Sequence, residues 1–161
     1  MQVNDTPKPA AADPGPAEFE LERFLPYRLS VLTNTVSQGI AHGYRERHGI
    51  GVTEWRILAV LGRFPGLTAS EVVARTAMDK VAISRGVKAL MARGLLQRRT
   101  DHGDRRRQRL FITSGRGAEV LHQIIPQARR YEQRLLQSLT PEDRAAFSRI
   151  LAKLQQQAES L

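Results

Sequence analysis

The chain of 161 residues is long enough for one domain of ordinary size, and hydrophobic residues make up 41% of it, enough for a real core. The absence of cysteine excludes disulfides, thiol redox sensing, cysteine nucleophiles and cysteine-ligated metal centres. No apolar run approaches the ~18 residues of a transmembrane helix, and the N-terminus lacks a secretory signal. We therefore expect a soluble, cytoplasmic protein.

Positive charge is concentrated in one part of the chain. The formal net charge is +9, and residues 78–110 alone hold ten basic and three acidic side chains, a net +7. A concentrated positive field attracts polyanions, and nucleic acid is the leading candidate. An ordinary solvated face is the alternative explanation for such a run of arginines.

The N-terminal part predicts a tail followed by helices. Four prolines among small residues in segment 1–18 predict a disordered tail, and we expect residues 19–161 to form a single domain. Apolar residues then recur every three or four positions over 20–47, which predicts a long helix. Thr53 is expected to cap a second helix, with Trp55 on its buried stripe.

A short helix, a three-residue turn and a longer helix come next, and this order predicts a helix-turn-helix. Residues 68–71, Thr-Ala-Ser-Glu, form a capping box at the start of the short helix. Asp79 can cap the longer helix, which is expected to end near Arg93, just before Gly94. Because the longer helix is apolar on one face and basic on the other, it can enter the major groove of DNA.

Two strand-like runs, 95–99 and 108–113, flank a polar tip at 100–107 and predict a hairpin. Guanidinium groups at such a tip suit the narrow, negative minor groove. A helix-turn-helix followed by a two-stranded hairpin is a winged helix-turn-helix. The predicted fold class is therefore mainly α, with a two-stranded β wing.

Two helices are predicted after the wing. Thr113 or Ser114 is expected to cap a long helix to about Leu139, interrupted by Pro126. The run Thr-Pro-Glu-Asp at 140–143 then begins the last helix, because it supplies a cap, a proline and two acids.

The first and last helices carry more apolar surface than the small winged helix-turn-helix, here called the reading head, can cover. Unburied stripes of that length usually indicate a partner. We therefore expect a homodimer held by dimerisation helices at about 20–48 and 113–161. The reading head itself is expected at about 53–113.

Several motifs between residues 20 and 160 resemble one known family. They are Thr-Glu-Trp-Arg at 53–56, Leu-Thr-Ala-Ser-Glu at 67–71, the helix and turn at 79–95, Asp-His-Gly-Asp-Arg-Arg-Arg at 101–107, and Leu-Phe-Ile-Thr at 110–113 with Gly117. The most specific part is the Asp-x-Arg pattern of Asp104 and Arg106. The chain resembles the multiple antibiotic resistance regulator (MarR) family. The resemblance implies N- and C-terminal helices that interlock across a two-fold axis.

The same resemblance implies a prokaryotic, nucleoid-associated homodimer that binds a pseudo-palindromic operator in double-stranded DNA, usually as a repressor. The residues expected to contact DNA are Ser70, Lys80, Val81, Ser84, Arg85, Lys88, Arg105, Arg106 and Arg107. The alternative is that they are ordinary solvated residues, on the helix face or at the hairpin tip, that only keep the surface soluble. The resemblance also implies that Asp104 pairs with Arg106 to stabilise the wing, and that Arg106 reaches the minor groove.

Many members of the family release DNA when a small aromatic acid binds between the dimerisation helices and the reading head. The candidate ligand contacts are Arg28, Thr33, Ser37, Tyr44 and Trp55. The Arg28 guanidinium can hold a carboxylate bidentately, although an ion pair within the dimer is the alternative. Trp55 also has an alternative, as an ordinary core residue.

Metal, cofactor and enzyme functions receive no support from the motifs. The four histidines lack the spacing of a metal site, and hydrolase, Walker A and H-E-x-x-H motifs are absent. We therefore expect no cofactor and no catalytic residue. The alternative function is a sequence-tolerant architectural nucleic-acid-binding protein without an effector.

Overall fold

The computed structural model describes residues 19–101, 103–104 and 106–161, and the tail predicted for 1–18 lies outside them. The described chain is mainly helical, with one antiparallel pair of strands, as the sequence predicts. Its elements are α1 (Leu25–His48), α2 (Val52–Arg63), α3 (Ala69–Thr76), α4 (Lys80–Ala92), β1 (Leu96–Thr100), β2 (Gln108–Ile112), α5 (Arg116–Leu135) and α6 (Pro141–Ser160), with short 3-10 helices at Leu21–Arg23 and Leu136–Ser138. The chain divides into two compact units, with the boundary inside α1 between Val36 and Ser37.

The N-terminal unit contains the 3-10 helix and the first half of α1. The long helix starts at Leu25 and not at residue 20, so Pro26 occupies its first turn, where a missing N–H is tolerated. Leu25, Leu29 and Leu32 are all exposed in this unit. The predicted apolar stripe is therefore present but uncovered in the single chain.

The reading head is built on a core shared by α2, α3, α4 and the wing. Its buried side chains are Ile57, Leu58, Leu61, Val72, Ile83, Val87, Leu90, Leu95, Leu96 and Leu110. Gly86 allows α2 and α4 to approach closely, because a Cβ there would lie 2.7 Å from Ile57 Cδ1. This packing fixes which face of α4 points away from the core.

Local capping begins the helices of the reading head. The Thr68 amide donates to the Glu71 carboxylate at 2.7 Å, which confirms the predicted capping box. Asp79 accepts the amides of Val81 and Ala82, both at 2.9 Å, and so caps α4 as predicted.

The predicted cap of α2 is wrong by two residues. The helix begins at Val52 after Gly51, and the Gly51 amide donates to the Glu54 carboxylate at 2.7 Å. Thr53 therefore lies within the first turn. A side-chain carboxylate that reaches back to the amide replaces the expected hydroxyl cap.

The wing pairs in a fixed register, with Leu96 opposite Ile112 and Thr100 opposite Gln108. The first strand starts one residue later than predicted. Leu67 adds a further bridge on the other side of β2, where the Leu110 amide donates to the Leu67 carbonyl at 2.8 Å. The wing is thus fastened to the segment between α2 and α3.

The start and middle of α5 differ from the prediction. The N-cap is Gly115, although Thr113 still contributes, because its Oγ1 accepts the Gly117 amide at 2.9 Å. The helix continues through Pro126 to Leu135 and then tightens into the 3-10 helix. Pro126 is exposed, so water can solvate the carbonyl that loses its helical partner.

The last helix starts as predicted. The Thr140 hydroxyl accepts the Asp143 amide at 3.1 Å, and Pro141 occupies the first turn. Within this helix no side chain is buried in the single chain. Phe147, Ile150, Leu151 and Leu154 form an exposed apolar stripe along it.

Candidate nucleic-acid interface

The outer face of α4 is polar and solvent-exposed along its length. Lys80, Ser84, Arg85 and Lys88 are exposed, whereas Ile83, Val87 and Leu90 on the opposite face are buried. Val81 lies among the polar residues and is 54% exposed. An apolar side chain at that place is suited to contact a thymine methyl group.

The first turns of α3 and α4 converge on a small cavity of about 220 Å³. Ser70, Ser84 and Lys80 line it together with the apolar residues Ala69, Val73 and Ile83. Ser70 lies near the start of α3, where free backbone amides and the helix dipole favour an anion.

At the wing tip, Arg106 and Arg107 are exposed, while Arg105 and His102 lie outside the described residues. Asp104 accepts the backbone amide of Arg106 at 2.9 Å. Its ion pair, however, is with Arg107, whose Nε lies 3.6 Å from Oδ2. The Asp104 carboxylate therefore meets Arg106 through the backbone amide of that residue, which leaves the Arg106 guanidinium at the surface.

A second charge network at the base of the tip was not foreseen from the sequence. The Arg109 Nε donates to the Asp101 carboxylate, and its Nη1 donates to the Gly66 carbonyl at 2.9 Å. Asp101 also accepts the Gly103 amide at 2.7 Å and the Asp104 amide at 3.3 Å. The opposite charges of Asp101 and Arg109 on the two arms of the hairpin were the signal for this network.

The hydrogen bond from Arg109, with the amides of the tip, lowers the pKa of Asp101 to about 2. The charged carboxylate is therefore the form that the fold prefers. Its contribution to stability is fully present above the ordinary carboxyl pKa of ~4 and is lost as the pH falls towards 2. At neutral pH the network stays closed and holds the wing to the α2–α3 segment.

We predict that Asp101→Asn weakens the wing more than Asp104→Asn does. The Asp101 side chain is 17% exposed and has several donors, whereas that of Asp104 is 49% exposed, in a long ion pair. Asp101→Asn should lower the Tm by a few degrees at pH 7, and the difference from wild type should shrink below pH ~4. Thermal unfolding at pH 7 and pH 3 checks this, and an equal or larger loss in Asp104→Asn would contradict it.

Comparison with known proteins identifies the architecture. A sequence model of the MarR family matches residues 48–107, which cover the helix-turn-helix and most of the wing. A MarR-family transcriptional regulator from Silicibacter pomeroyi superimposes with a TM-score of 0.72 at 27% identity, over 86% of this chain and 92% of that one. Residues 48–107 thus have the winged helix-turn-helix of the MarR family. The family consists of DNA-binding transcriptional regulators.

Two further relatives are informative. The transcriptional repressor NicR of Pseudomonas putida is 35% identical over 85 residues, which cover 53% of each chain. The fold also matches that of BpsR from Bordetella bronchiseptica, with a TM-score of 0.75 at 20% identity over 85% of this chain and 96% of that one. The DNA binding of BpsR is regulated by 6-hydroxynicotinic acid.

The candidate ligand contacts fall into separate groups. Arg28 and Thr33 lie exposed on the first half of α1. In the other unit, the Tyr44 ring lies 5.8 Å from the Trp55 ring, and Ser37 accepts a hydrogen bond from Arg56 at 2.8 Å. Sequence reasoning missed Arg56, which lies beside Trp55 in the chain and brings a guanidinium to this region.

Tyr44 is the unusual member of the group. Its side chain is fully buried, and its hydroxyl has no hydrogen-bond partner among the described residues. Burial raises the pKa of Tyr44 to about 12, so the hydroxyl stays protonated and remains a donor. An unpaired buried hydroxyl costs free energy, and a bound oxygen acceptor would recover it.

In the described ranges no cluster of three or more histidine and acidic side chains could hold a metal ion. None of the described helices combines the length and the apolar character needed to span a bilayer.

Proposed function

We propose that this chain is a homodimeric, sequence-specific transcriptional repressor. It binds a pseudo-palindromic operator in double-stranded DNA and leaves it when a small aromatic acid binds. The observation that carries the DNA-binding part is the amphipathic α4, whose polar face is free while its apolar face is locked in the core. A helix held in this way can present its side chains to base edges.

The two DNA-contacting regions have different roles in this proposal. Arg85 lies on the exposed face of α4, where it can read a base. Lys88 lies three residues further along the same face, where it can contact phosphate. Arg106 at the wing tip enters the adjacent minor groove, most favourably where A·T-rich sequence makes that groove narrow. Two such heads related by a two-fold axis would read half-sites about 10 bp apart.

The dimer part of the proposal rests on uncovered apolar surface. The first half of α1 exposes Leu25, Leu29 and Leu32, and α6 separately exposes Phe147 and Ile150. Apolar stripes of this length on a single chain are typical of surfaces that a second copy covers. The family resemblance points to the same helices.

The effector part rests on the buried Tyr44 hydroxyl. It can donate to a carboxylate or phenolate oxygen, while the Trp55 ring offers an aromatic surface and Arg56 a positive charge. The repressor NicR is a relative, and BpsR shows that a protein of this fold can be regulated by a hydroxynicotinic acid. Arg28 is proposed to clamp the carboxylate.

The DNA part is tested by comparing two substitutions on α4 across salt concentrations. Arg85→Ala should cost roughly 1–3 kcal/mol on the selected operator and little on unrelated DNA. Lys88→Ala should weaken binding to both and lower the salt slope by about one unit. Arg106→Ala should lose most affinity on sites with A·T-rich flanks. A footprint without sequence preference would favour the architectural alternative.

The effector part is tested by calorimetry with hydroxybenzoates and 6-hydroxynicotinic acid, with and without operator. By reciprocity, the DNA must weaken the ligand by the factor by which the ligand weakens the DNA. Tyr44→Phe should weaken the ligand without lowering stability, because it removes only an unpaired hydroxyl. Arg28→Ala should abolish the response but leave DNA binding intact. Equal ligand affinity with and without operator would overturn the switch.

A further inference from the structure

One side chain joins the C-terminal ends of α1 and α4. Helix α1 ends at His48, and Gly49 follows it in the left-handed conformation with φ of 58°. Arg93 is the C-cap of α4, and its Nη1 donates to the Gly49 carbonyl at 2.8 Å. Its Nη2 donates to the His48 carbonyl. A single guanidinium thus binds two successive carbonyls more than 40 positions away in the sequence.

The electrostatics of this junction explain why an arginine is suited to it. The last carbonyls of a helix lack helical partners and carry the negative end of the helix dipole. Here the Arg93 guanidinium lies at the carbonyl end of α1, where its positive charge opposes the negative end of that helix dipole. The planar guanidinium can donate to two carbonyls at once in fixed directions, which a lysine ammonium does less well.

The backbone around Arg93 is itself tightly held. The Arg93 amide donates to the Ala89 carbonyl at 3.2 Å, and the Leu95 amide donates to the Leu90 carbonyl at 2.9 Å. Gly94 has φ of 69° and turns the chain into β1. Because its backbone is fixed in this way, the Arg93 side chain links the end of α1 directly to the end of α4.

We infer that Arg93 is a positioning residue that sets the orientation of α4 against α1. This inference rests on the proposed function, in which α1 belongs to the dimer interface and α4 reads the operator. The angle between the two helices would then determine the distance between the reading heads of the dimer. Arg93 lies at the opposite end of α4 from Lys80, roughly 20 Å away along the helix, so it acts without contacting the bases there.

Half-site spacing is the property that such a residue controls. Each inserted base pair moves one half-site by about 3.4 Å and rotates it by roughly 35°. A dimer with fixed heads loses affinity when the spacing changes, whereas a dimer with loosened heads adapts. Loss of Arg93 should therefore flatten the dependence on spacing, and weaker folding alone would not produce that effect.

The experiment uses duplexes that the wild-type protein selects from a random library. Derivatives carry one or two base pairs inserted or removed between the half-sites. Affinities are measured for wild type, Arg93→Ala, Arg93→Lys and the control Arg47→Ala. Arg47 is a matched control because it is an exposed arginine in the last turn of the same α1. Thermal unfolding of each variant is recorded in parallel.

Wild type and Arg47→Ala should prefer the selected spacing by about tenfold over a one-base-pair change. In Arg93→Ala this ratio should fall towards one, and Arg93→Lys should lie between. If Arg93→Ala does not fold, the ratio for Arg93→Lys decides, since a wild-type ratio there would overturn the inference. A wild-type ratio in folded Arg93→Ala would overturn it as well. If the wild-type protein itself shows no preferred spacing, the proposed dimeric operator binding fails instead.

Discussion

Replacing Gly117 with alanine should lower the free energy of unfolding by about 3 kcal/mol or more. A Cβ at this position would overlap the backbone carbonyl oxygen of Leu95, which cannot turn aside as a flexible side chain can. It would also lie 2.8 Å from Ile112 Cγ2 and from Thr113 Oγ1. Because α5, β1 and β2 meet at this point, relief of the overlap must separate the start of α5 from the wing.

Gly115, two residues earlier, provides the matched control. A Cβ there would have no neighbour within 4 Å. Gly115→Ala should therefore cost clearly less stability than Gly117→Ala. Urea unfolding compares the free energies of unfolding of the two variants. Both are measured at the same protein concentration, because the apparent stability of a dimer depends on concentration. Equal stabilities would show that the approach of α5 to the wing is looser than the structure describes.

The parts of the fold that the sequence predicts well are those set by neighbours in the chain. Thr68, Asp79 and Thr140 cap helices because a side chain reaches amides two or three residues ahead, and that reach is visible in the sequence. The apolar and polar faces of α4 are likewise visible in the sequence, because residues three and four apart share a face of a helix. The polar surface proposed to bind DNA could therefore be predicted almost completely.

The parts that could not be predicted depend on residues that are distant in the chain. Arg109 binds the Gly66 carbonyl and Arg93 binds the end of α1, and backbone carbonyls carry no sequence signature. The predicted interruption of α5 at Pro126 was wrong, because the outcome there depends on the whole helix and not on the proline alone. A proline costs one helical hydrogen bond, and the continuity of the rest of α5 outweighs that local cost.

The ligand contacts were harder still to predict from sequence. Tyr44 and Trp55 follow helical spacings that are as typical of core residues as of ligand contacts. Both roles require the side chain to be buried, so the sequence does not separate them. What distinguishes Tyr44 is its unpaired hydroxyl, which only a three-dimensional structure reveals. Ser37 and Arg56 form a hydrogen bond 19 residues apart, for which the sequence offers no periodicity.

The double substitution Ile150→Asp with Leu154→Asp should dissociate the proposed dimer. Both side chains belong to the apolar stripe of α6, with 55% and 38% of their surface exposed in the single chain. Covering the exposed part of each side chain contributes roughly 1 kcal/mol per protomer, and aspartates in their place would be buried without partners. A loss of at least 3 kcal/mol corresponds to a more than 100-fold weaker association.

The same change should leave the reading head folded, because no side chain of α6 is buried in the single chain. Ala152→Asp with Gln156→Asp is the matched control, since it adds the same charge on the opposite side of the helix. Sedimentation velocity at micromolar concentration should show a monomer for the first variant and a dimer for the control. Affinity for a full operator should fall with the dimer, because a single head reads only one half-site. A first variant that still sediments as a dimer would remove α6 from the interface and leave its apolar stripe to another partner.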